Sequence, residues 1–474
     1  MKTKNLWLAC ALTWCGFAGS LQAKVTLPAI LSDNMVLQQQ TQVRLWGDAT
    51  PGKSVTIRPS WSKRSFEVKA GKTGNWETRI PTPTAGGPYE ITISDGEPTT
   101  LKNVLIGEVW LCSGQSNMEM PMKGYRSQPT EGSQNILIKA DKKTPIRAFT
   151  VKRKISRTPE KDCIGQWVEN TPEGIAETSA TAYFFAQYLQ EVLDIPVGIV
   201  VSCWSGTKVE PWMSEEELKA FPQISMAHMQ GSDELKDAQL GSVLYNGMMM
   251  PIKNFAIKGS IWYQGESNRY NAKLYEQLLP AFVRGLRKTW DQGDFPFYYV
   301  QIAPYLYDGA DSISGALLRE AQANCLKTIP NSGMAVTLDV GELNCIHPSK
   351  KKEVGQRLAY WALAKEYGKE VFAYQGPTYK NMTIDGNKAI IEFDNTPNGI
   401  APIATDLDFF EIAGADKKFY PAKAKLNYKT GNVEVSADEV STPVAVRYAF
   451  KNFTQASVFD TFGLPASSFR TDNW

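Results

Sequence analysis

The chain has 474 residues, of which 43% are hydrophobic and 21% charged, and its 51 basic and 49 acidic side chains give a formal net charge of +2. Such a length implies two or three domains, and such a charge balance excludes the basic surface with which proteins bind nucleic acid or anionic membranes. We therefore expect no nucleic-acid partner, and a ligand that is neutral or whose charge is met by a few local residues.

The first 23 residues are typical of an export signal. Lys2 and Lys4 precede an apolar run over residues 6–17, and a cleavage site follows at Ala23. The run is shorter than the about 20 apolar residues that a membrane-spanning helix needs. We therefore expect a chain that is exported to the periplasm or beyond the cell, without a stable membrane anchor.

Cysteines and histidines are few. Of the seven cysteines, Cys10 and Cys15 belong to the predicted signal, and the spacing of the other five indicates no disulfide framework. With two histidines and no Cys-x-x-Cys pair, a zinc site would have to consist mostly of carboxylates, which is uncommon. We therefore expect no metal and no other cofactor.

Short strands dominate the part of the chain that follows the signal. Residues 54–58 alternate between apolar and polar side chains, and glycine and proline separate this run from its neighbours. This pattern is typical of a β-sandwich. We therefore predict an N-terminal β-sandwich domain over residues 24–102.

The pattern changes at about residue 103. Apolar runs over residues 104–112 and 197–201 are typical of strands covered on both faces, and residues 272–290 have the apolar spacing of a helix. Strands that alternate with helices favour a parallel α/β sheet flanked by helices, here over residues 103–367. A returning strand pattern then predicts a small C-terminal β-domain over residues 368–474.

Polar residues follow three of the strands predicted for the α/β part. Ser116 comes just after the first strand, Gly206 follows the second, and Gln264, Glu266 and Asn268 follow the third. The carboxyl ends of parallel strands meet at one edge of a sheet, where open α/β proteins bind their ligands. Each segment alone also fits a plainer role, as a helix cap, a turn glycine or a polar loop.

One histidine is placed to act as a base. A serine hydroxyl is a poor nucleophile unless a base removes its proton, and histidine is the usual base. His228 follows no predicted strand and fits a surface or packing role, whereas His347 lies on a loop just before a helix, late in the α/β part. By elimination, His347 is the candidate base for Ser116.

In this order, the segments resemble the SGNH (GDSL-like) hydrolases, and within them the sialate O-acetylesterases and their carbohydrate acetylesterase relatives. Residues 107–119, 262–268 and 346–358 are similar to motifs of that family, and residues 34–38 and 463–472 are similar to its two ends. The resemblance implies an SGNH-type esterase domain between two small β-domains. It also implies an O-acetylated sugar or glycan as the substrate.

The resemblance further implies roles for single residues. Ser116 is implied as the nucleophile, and His347 as the general base and then the general acid. The backbone N–H groups of Gly206 and Ser116 would bind the oxyanion. A side-chain amide, either that of Gln264 or that of Asn268, would be the third oxyanion donor.

The group that orients His347 is left open by the sequence. The superfamily has an aspartate three residues before this histidine, where the chain has Asn344. Neutral Asn344 could fix the imidazole tautomer but would stabilise imidazolium less than a carboxylate does. The acids Asp339, Glu342 and Glu266 are alternatives, and a Ser–His dyad oriented by a backbone carbonyl fits the sequence equally well.

We expect a serine esterase that removes O-acetyl groups from carbohydrate through an acetyl-Ser116 intermediate. The resemblance favours O-acetylated sialic acid, whose carboxylate would need a cation, and Arg126 and Arg269 are the nearest to the motifs. Acetylated xylan or another polysaccharide is the alternative substrate. A non-catalytic carbohydrate-binding protein is the alternative from another class.

Overall fold

The computed structural model describes residues 25–369, 373–403 and 405–474. The export signal that we predict for residues 1–23 lies outside the described residues. Within the described ranges, no helix is long and apolar enough to cross a membrane.

The N-terminal part contains the short strands β1 (Val36–Gln38), β2 (Gln42–Asp48), β3 (Ser54–Pro59), β4 (Phe66–Lys69), β5 (Asn75–Pro81) and β6 (Gly86–Ser94), and the first half of the long strand β7 (Pro98–Gly114). β2 and β5 pair antiparallel, and β3 pairs antiparallel with β4 and with β6. Inward side chains such as Val43, Ile57 and Ile93 are buried, and the residues beside them are more exposed. The alternation in the sequence therefore reflects strands with one face on a core.

The central part alternates strands with helices, which are α1 (Ser116–Glu119), α2 (Ser133–Lys139), β8 (Ile146–Thr150), β9 (Trp167–Glu169), α3 (Pro172–Ala176), α4 (Ala180–Leu193), β10 (Val197–Cys203), α5 (Glu215–Leu218), β11 (Gly259–Tyr263), α6 (Ala272–Trp290), β12 (Phe297–Val300), α7 (Ser314–Cys325), β13 (Ser332–Ala335) and α8 (Lys351–Glu366). Short 3-10 or π turns lie at Glu210–Trp212, Ala227–Gln230, Tyr245–Met249, Met250–Ile252 and Glu266–Asn271. The sheet has the order β13-β12-β11-β7-β10-β8-β9, and all neighbours in it are parallel except β8 and β9.

β7 is the strand that joins the N-terminal and central parts. Its first half pairs antiparallel with β6, and its second half, from Glu108 to Gly114, pairs in parallel with β10. β11 lies along the other edge of that second half. The domain boundary that we predict at residue 103 therefore falls within a continuous strand.

Both faces of the central sheet are covered, which explains the apolar run in β7. Val109 belongs to the same hydrophobic core as Leu278 of α6. Its neighbour Trp110 belongs to the core on the other side, together with Phe185 of α4 and Leu358 of α8. A strand buried on both faces reads as a continuous apolar segment instead of an alternating one.

The C-terminal part is antiparallel, with β14 (Thr378–Asp385), β15 (Lys388–Asp394), β16 (Ile400–Ala401), β17 (Asp406–Leu407), β18 (Phe410–Ala413), β19 (Phe419–Pro421), β20 (Lys423–Asn427), β21 (Asn432–Ser436), β22 (Ala445–Tyr448), β23 (Phe459–Asp460) and β24 (Phe469–Arg470). Its sheets have the orders β14-β15-β21-β20-β17, β19-β18-β22-β24 and β16-β23. The fully buried Arg319 of α7 donates to the carbonyl of Lys451 at 2.5 Å and to the Ser468 hydroxyl at 3.1 Å. This arginine ties the C-terminal part to the central one.

Gly114 ends β7 where the chain turns into α1. Its φ of +144° is one that residues with a side chain rarely adopt, and a Cβ atom there would lie 2.2 Å from the carbonyl oxygen of Tyr263 in β11. The next residue, Gln115, donates its N–H to that same carbonyl at 3.0 Å. The absence of a side chain at residue 114 is therefore what lets β7 and β11 end side by side.

We expect Gly114→Ala to lower the free energy of unfolding by more than about 2 kcal/mol, because the substitution adds a backbone clash to an unfavourable φ. Gly293→Ala is the matched control, since Gly293 also has a positive φ (+71°) but a Cβ there would meet nothing within 4 Å. Urea unfolding of both variants measures the difference. Equal losses would contradict the role of the β7–β11 contact.

Candidate active site

Four segments meet at the carboxyl edge of the central sheet. The strands β10, β7 and β11 are neighbours and end at Cys203, Gly114 and Tyr263. The loops after these strands hold the polar residues that the sequence singled out, and the loop before α8 holds His347. The parallel sheet therefore brings the predicted segments to one place.

The turn after β7 presents Ser116 as the first residue of α1. The Gln115 side chain fixes this turn to the loop after β11, because its Oε1 accepts from the N–H of Gly265 at 3.2 Å and of Ser267 at 3.3 Å. The first N–H groups of a helix have no partner within the helix, so the Ser116 N–H is an open donor. The Ser116 hydroxyl makes no hydrogen bond to any residue that the structure describes.

A tight turn at Tyr125–Gln128 holds His347. Tyr125 and Gln128 exchange two backbone hydrogen bonds, of 2.9 and 3.0 Å. The Gln128 Oε1 lies 2.5 Å from the His347 Nδ1, and the Tyr125 ring packs edge-on against the imidazole with the ring centroids 5.2 Å apart. Because an amide oxygen only accepts, Nδ1 carries the proton and donates it, which leaves Nε2 with a free lone pair.

Tyr125 also connects His347 to the turn that carries Ser116, which is called the nucleophile turn below after the role predicted for this serine. Its hydroxyl donates to the backbone carbonyl of Ser116 at 3.2 Å and lies 3.2 Å from the Ser205 hydroxyl in the loop after β10. Burial raises the pKa of this phenol to about 12, so it stays protonated and able to donate. One side chain therefore touches three of the four segments.

Burial also keeps His347 neutral. It lowers the pKa of the imidazole from 6.5 to about 4, and the nearby ammonium of Lys351 acts in the same direction. Both effects disfavour imidazolium, the first by desolvation and the second by charge repulsion. A neutral imidazole with its Nε2 free has the protonation state that a general base requires.

None of the four residues considered from the sequence as partners of His347 bonds to it. Asp339 is held by Arg357 through two contacts of 2.6 Å. Glu342 accepts from the Ser349 N–H at 2.7 Å, and Glu266 accepts from Asn117 at 2.6 Å. Asn344 is exposed, and its side chain makes no hydrogen bond within the described ranges.

Gln128 instead makes the hydrogen bond to the His347 Nδ1 for which these candidates, and a backbone carbonyl, were considered. It lies 219 positions before His347 and belongs to none of the motifs. Neither apolar periodicity nor strand-end placement distinguishes it, so the sequence alone offers no signal for it. Its role depends entirely on how the Tyr125–Gln128 turn folds over the histidine.

The two amides considered as the third oxyanion donor differ in how they are used: both N–H groups of Gln264 have acceptors, whereas one N–H of Asn268 has none among the described residues. The Gln264 amide donates to the Asn268 Oδ1 at 2.8 Å and to the Thr207 carbonyl at 3.2 Å. The Asn268 amide donates to Glu210 at 2.9 Å, and its oxygen also accepts from the Val209 N–H at 3.0 Å. These amides therefore hold the loop after β10 against the loop after β11.

The backbone N–H of Gly206 has no acceptor among the described residues. This glycine is exposed, with a φ of +75° and nothing within 4 Å of the place of a Cβ atom. Its carbonyl accepts from the Ser267 hydroxyl at 2.8 Å. On its other side, the loop is fixed to α1, since the Ser205 N–H donates to Glu119 at 2.8 Å. Gly206 is thus an anchored residue with an open backbone donor.

No cluster of three or more His, Cys, Asp and Glu side chains in the described part of the chain could hold a metal ion.

Residues 106–364 match the profile of the family described as carbohydrate esterase, sialic acid-specific acetylesterase. The chain belongs to this family. It is 29% identical to the sialate O-acetylesterase of Pongo abelii over 463 residues, which are 89% of this chain and 86% of that protein. The human sialate O-acetylesterase is 28% identical over 460 residues, with the same two coverages.

A solved structure from Xanthomonas citri, described as a novel carbohydrate acetylesterase, is 35% identical and has a TM-score of 0.85. The similarity covers 95% of this chain and 100% of that one. The chain is therefore a carboxylic ester hydrolase, as the resemblance implied. The mixed α/β architecture, with a large, mostly parallel sheet and small antiparallel sheets, is also confirmed.

In this carbohydrate esterase, we expect His347 to titrate near pH 4, because its burial and Lys351 both disfavour imidazolium. The chain has two histidines, so a His228→Gln variant with ¹³C-labelled histidine gives one imidazole signal. Its chemical shift, followed by NMR against pH, reports the pKa directly. A midpoint near the ordinary value of 6.5 would show that the imidazole is not desolvated in this way.

Proposed function

We propose that this carbohydrate esterase removes O-acetyl groups from acetylated sugars through an acetyl-Ser116 intermediate, and that its substrate is O-acetylated sialic acid. The observation that carries the proposal is the Tyr125–Gln128 turn. This turn holds His347 by the ring and by Nδ1, and it reaches the backbone carbonyl of Ser116. A histidine oriented in this way, and joined through Tyr125 to a serine on a strand-end turn, supports nucleophilic catalysis.

The reaction proceeds by acyl transfer in two steps. The His347 Nε2 takes the proton of the Ser116 hydroxyl as the oxygen attacks the acetyl carbonyl. The tetrahedral intermediate then collapses, the C–O bond to the sugar breaks, and the imidazolium returns the proton to the sugar oxygen. Water, deprotonated by His347 in turn, hydrolyses the acetyl-enzyme to acetate and free Ser116.

The backbone N–H groups of Ser116 and Gly206 are the oxyanion donors in this proposal. Both lack an acceptor among the described residues, and backbone donors fixed in place need no rearrangement as negative charge develops. The Gln264 amide acts indirectly, because its hydrogen bonds to Asn268 and to the Thr207 carbonyl help to hold the Gly206 loop in position. The Asn268 amide donates one N–H to Glu210, and its second N–H is the third oxyanion donor in this proposal.

An SGNH-type arrangement of the esterase part is supported by the serine at the end of β7 and by the neighbouring loops after β10 and β11. The division of the chain into residues 24–102, 103–367 and 368–474 stays a prediction. Export of the chain through residues 1–23 stays one as well.

We expect Ser116→Ala to abolish the release of p-nitrophenol from its acetate and labelling by a fluorophosphonate, because both need the serine oxygen as a nucleophile. Circular dichroism and thermal unfolding check that the variant keeps its fold. Full residual turnover would remove Ser116 from the mechanism.

Two substitutions of Gln128 separate the orientation of His347 from its charge. We expect Gln128→Ala to lower kcat by on the order of 10²-fold, since the imidazole loses the acceptor that fixes its tautomer. Gln128→Glu keeps an acceptor but adds a negative charge, which favours imidazolium and moves the acid limb of kcat/KM to higher pH. An unchanged kcat in Gln128→Ala, together with an unchanged pH profile in Gln128→Glu, would show that Gln128 does not orient the base.

The choice of sialic acid has two supports. The mammalian relatives are named sialate O-acetylesterases. Arg126 lies at the tip of the Tyr125–Gln128 turn, exposed and without an ion pair in the part of the chain that the structure describes. Arg269 is less available, because its guanidinium lies between the rings of Tyr270 and Tyr307, 4.1 and 4.9 Å from their centroids.

Acetate release from O-acetylated sialic acid and from acetylated xylan tests the substrate. We expect the higher kcat/KM on sialic acid, and we expect Arg126→Gln to raise the KM for that substrate while leaving p-nitrophenyl acetate hydrolysis unchanged. A higher kcat/KM on xylan, with no effect of Arg126→Gln, would instead identify a polysaccharide acetylesterase.

A further inference from the structure

Three buried polar side chains beside the active site are linked by hydrogen bonds. The Lys351 Nζ donates to the Asn117 Oδ1 at 2.6 Å, and the Asn117 Nδ2 donates to the Glu266 Oε1 at 2.6 Å. Lys351 and Asn117 are fully buried, and Glu266 is 3% exposed. These residues are called the Lys351–Asn117–Glu266 chain below, and none of them has a part in the acyl transfer described above.

The Lys351–Asn117–Glu266 chain connects the segments that carry Ser116 and His347. Asn117 directly follows Ser116, Glu266 lies in the loop after β11, and Lys351 begins α8, four residues after His347. The Asn117 Nδ2 also donates to the backbone carbonyl of Ile346, at 3.0 Å. One amide is thus attached to the nucleophile by the backbone and to the histidine loop by a hydrogen bond.

The orientation of the Asn117 amide is determined by its partners. Its oxygen faces an ammonium, which can only donate, and its nitrogen faces a carboxylate and a backbone carbonyl, which accept. The oxygen and both N–H groups are therefore used, and a flipped amide would oppose every partner. A side chain so constrained fixes the distances between the groups that it joins.

The charges at the two ends of the chain are costly to bury. Glu266 Oε2 has no hydrogen-bond partner, and no ion pair in the described ranges includes Lys351. Burial lowers the pKa of Lys351 to about 7 and raises that of Glu266. Apolar side chains of similar volume often replace buried ionic groups without loss of stability, so stability alone does not account for this chain.

Several groups around Lys351 affect its charge, and Lys351 affects His347. Glu266, Cys345 and Glu342 favour the ammonium form, whereas burial disfavours it. The ring of Tyr263 lies beside the amine, with its centroid 5.7 Å from Nζ. The ammonium, in turn, disfavours imidazolium at His347. The Lys351–Asn117–Glu266 chain therefore affects both the position of His347 and its protonation.

We infer that the Lys351–Asn117–Glu266 chain positions the catalytic pair, with Asn117 holding the His347 loop at Ser116 and Lys351 favouring the neutral imidazole. The inference rests on the proposed roles of Ser116 and His347. All three residues are positioning residues, because each acts on the reaction only through His347 or the nucleophile turn.

Asn117→Ala tests the positional part. It removes the hydrogen bond to Ile346 while both charges stay in place, and we expect kcat to fall by on the order of 10²-fold, with a smaller change in KM, because the base is displaced from the serine. The rate is expressed per site labelled by a fluorophosphonate at completion, which corrects for unfolded protein. A kcat equal to that of the unsubstituted enzyme would overturn the positional role.

Lys351→Met tests the charge, with Lys352→Met as its matched control one residue along the same helix, where the lysine is exposed. We expect Lys351→Met to raise the pKa of His347 and to move the acid limb of kcat/KM to higher pH, and Lys352→Met to change neither. An unchanged pKa in a folded Lys351→Met variant would overturn the electrostatic role. If that variant does not fold, Lys351→Gln, which removes the charge but keeps a donor for the Asn117 Oδ1, gives the same test with the same two outcomes.

The NMR titration separates this inference from the proposed function. In a Ser116→Ala, His228→Gln background, the pKa of His347 is measured without turnover, so the effect of Lys351→Met is visible even in an inactive protein. Activity in Ser116→Ala would refute the proposed function but leave this measurement intact. An inactive Ser116→Ala, combined with wild-type behaviour of Asn117→Ala and Lys351→Met, would refute the inference alone.

Discussion

The close approach of β7 and β11 at Gly114 is the constraint on which the site depends. There the Gln115 N–H donates to the Tyr263 carbonyl at 3.0 Å, and the Gln115 side chain holds the backbone of Gly265. A side chain at residue 114 would push these strands apart, and with them the nucleophile turn and the loop after β11. β7 also pairs with β1 and β6 of the N-terminal part, and it ends two residues before Ser116. This one strand therefore connects the N-terminal strands and the central sheet to Ser116.

Features with a local signal could be predicted from the sequence, and features created by tertiary packing could not. The helix predicted over residues 272–290 is α6, because apolar spacing and helix length are local properties. The strand-end segments meet because parallel strands align their carboxyl ends. Gln128 gave no such signal, since its contact with His347 joins positions 219 residues apart. The Gln264 and Asn268 amides were recognised as site residues, but only the structure shows that they bond to each other.

Burial gives the site its electrostatic character. It lowers the pKa of His347 to about 4 and that of Lys351 to about 7, and it raises that of Tyr125 to about 12. Each shift favours the uncharged form, as desolvation requires. The hydrogen bonds that hold His347 in place are accordingly made with neutral groups, an amide and the backbone. The Lys351–Asn117–Glu266 chain has an ionisable group at each of its two ends.

An amide partner for His347 suits this environment better than a carboxylate would. A carboxylate on Nδ1 would favour imidazolium and raise the pKa of the base, whereas Gln128 fixes the same tautomer without adding charge. The consequence is a weaker base, because an imidazole with a pKa near 4 takes the serine proton less readily. In the proposed mechanism, catalysis therefore depends on the alignment of Ser116 with His347 and on the fixed oxyanion donors more than on basicity. In that mechanism, the hydrogen bonds from Asn117 to the Ile346 carbonyl and from His347 to Gln128 serve this alignment, because they hold the histidine loop in position.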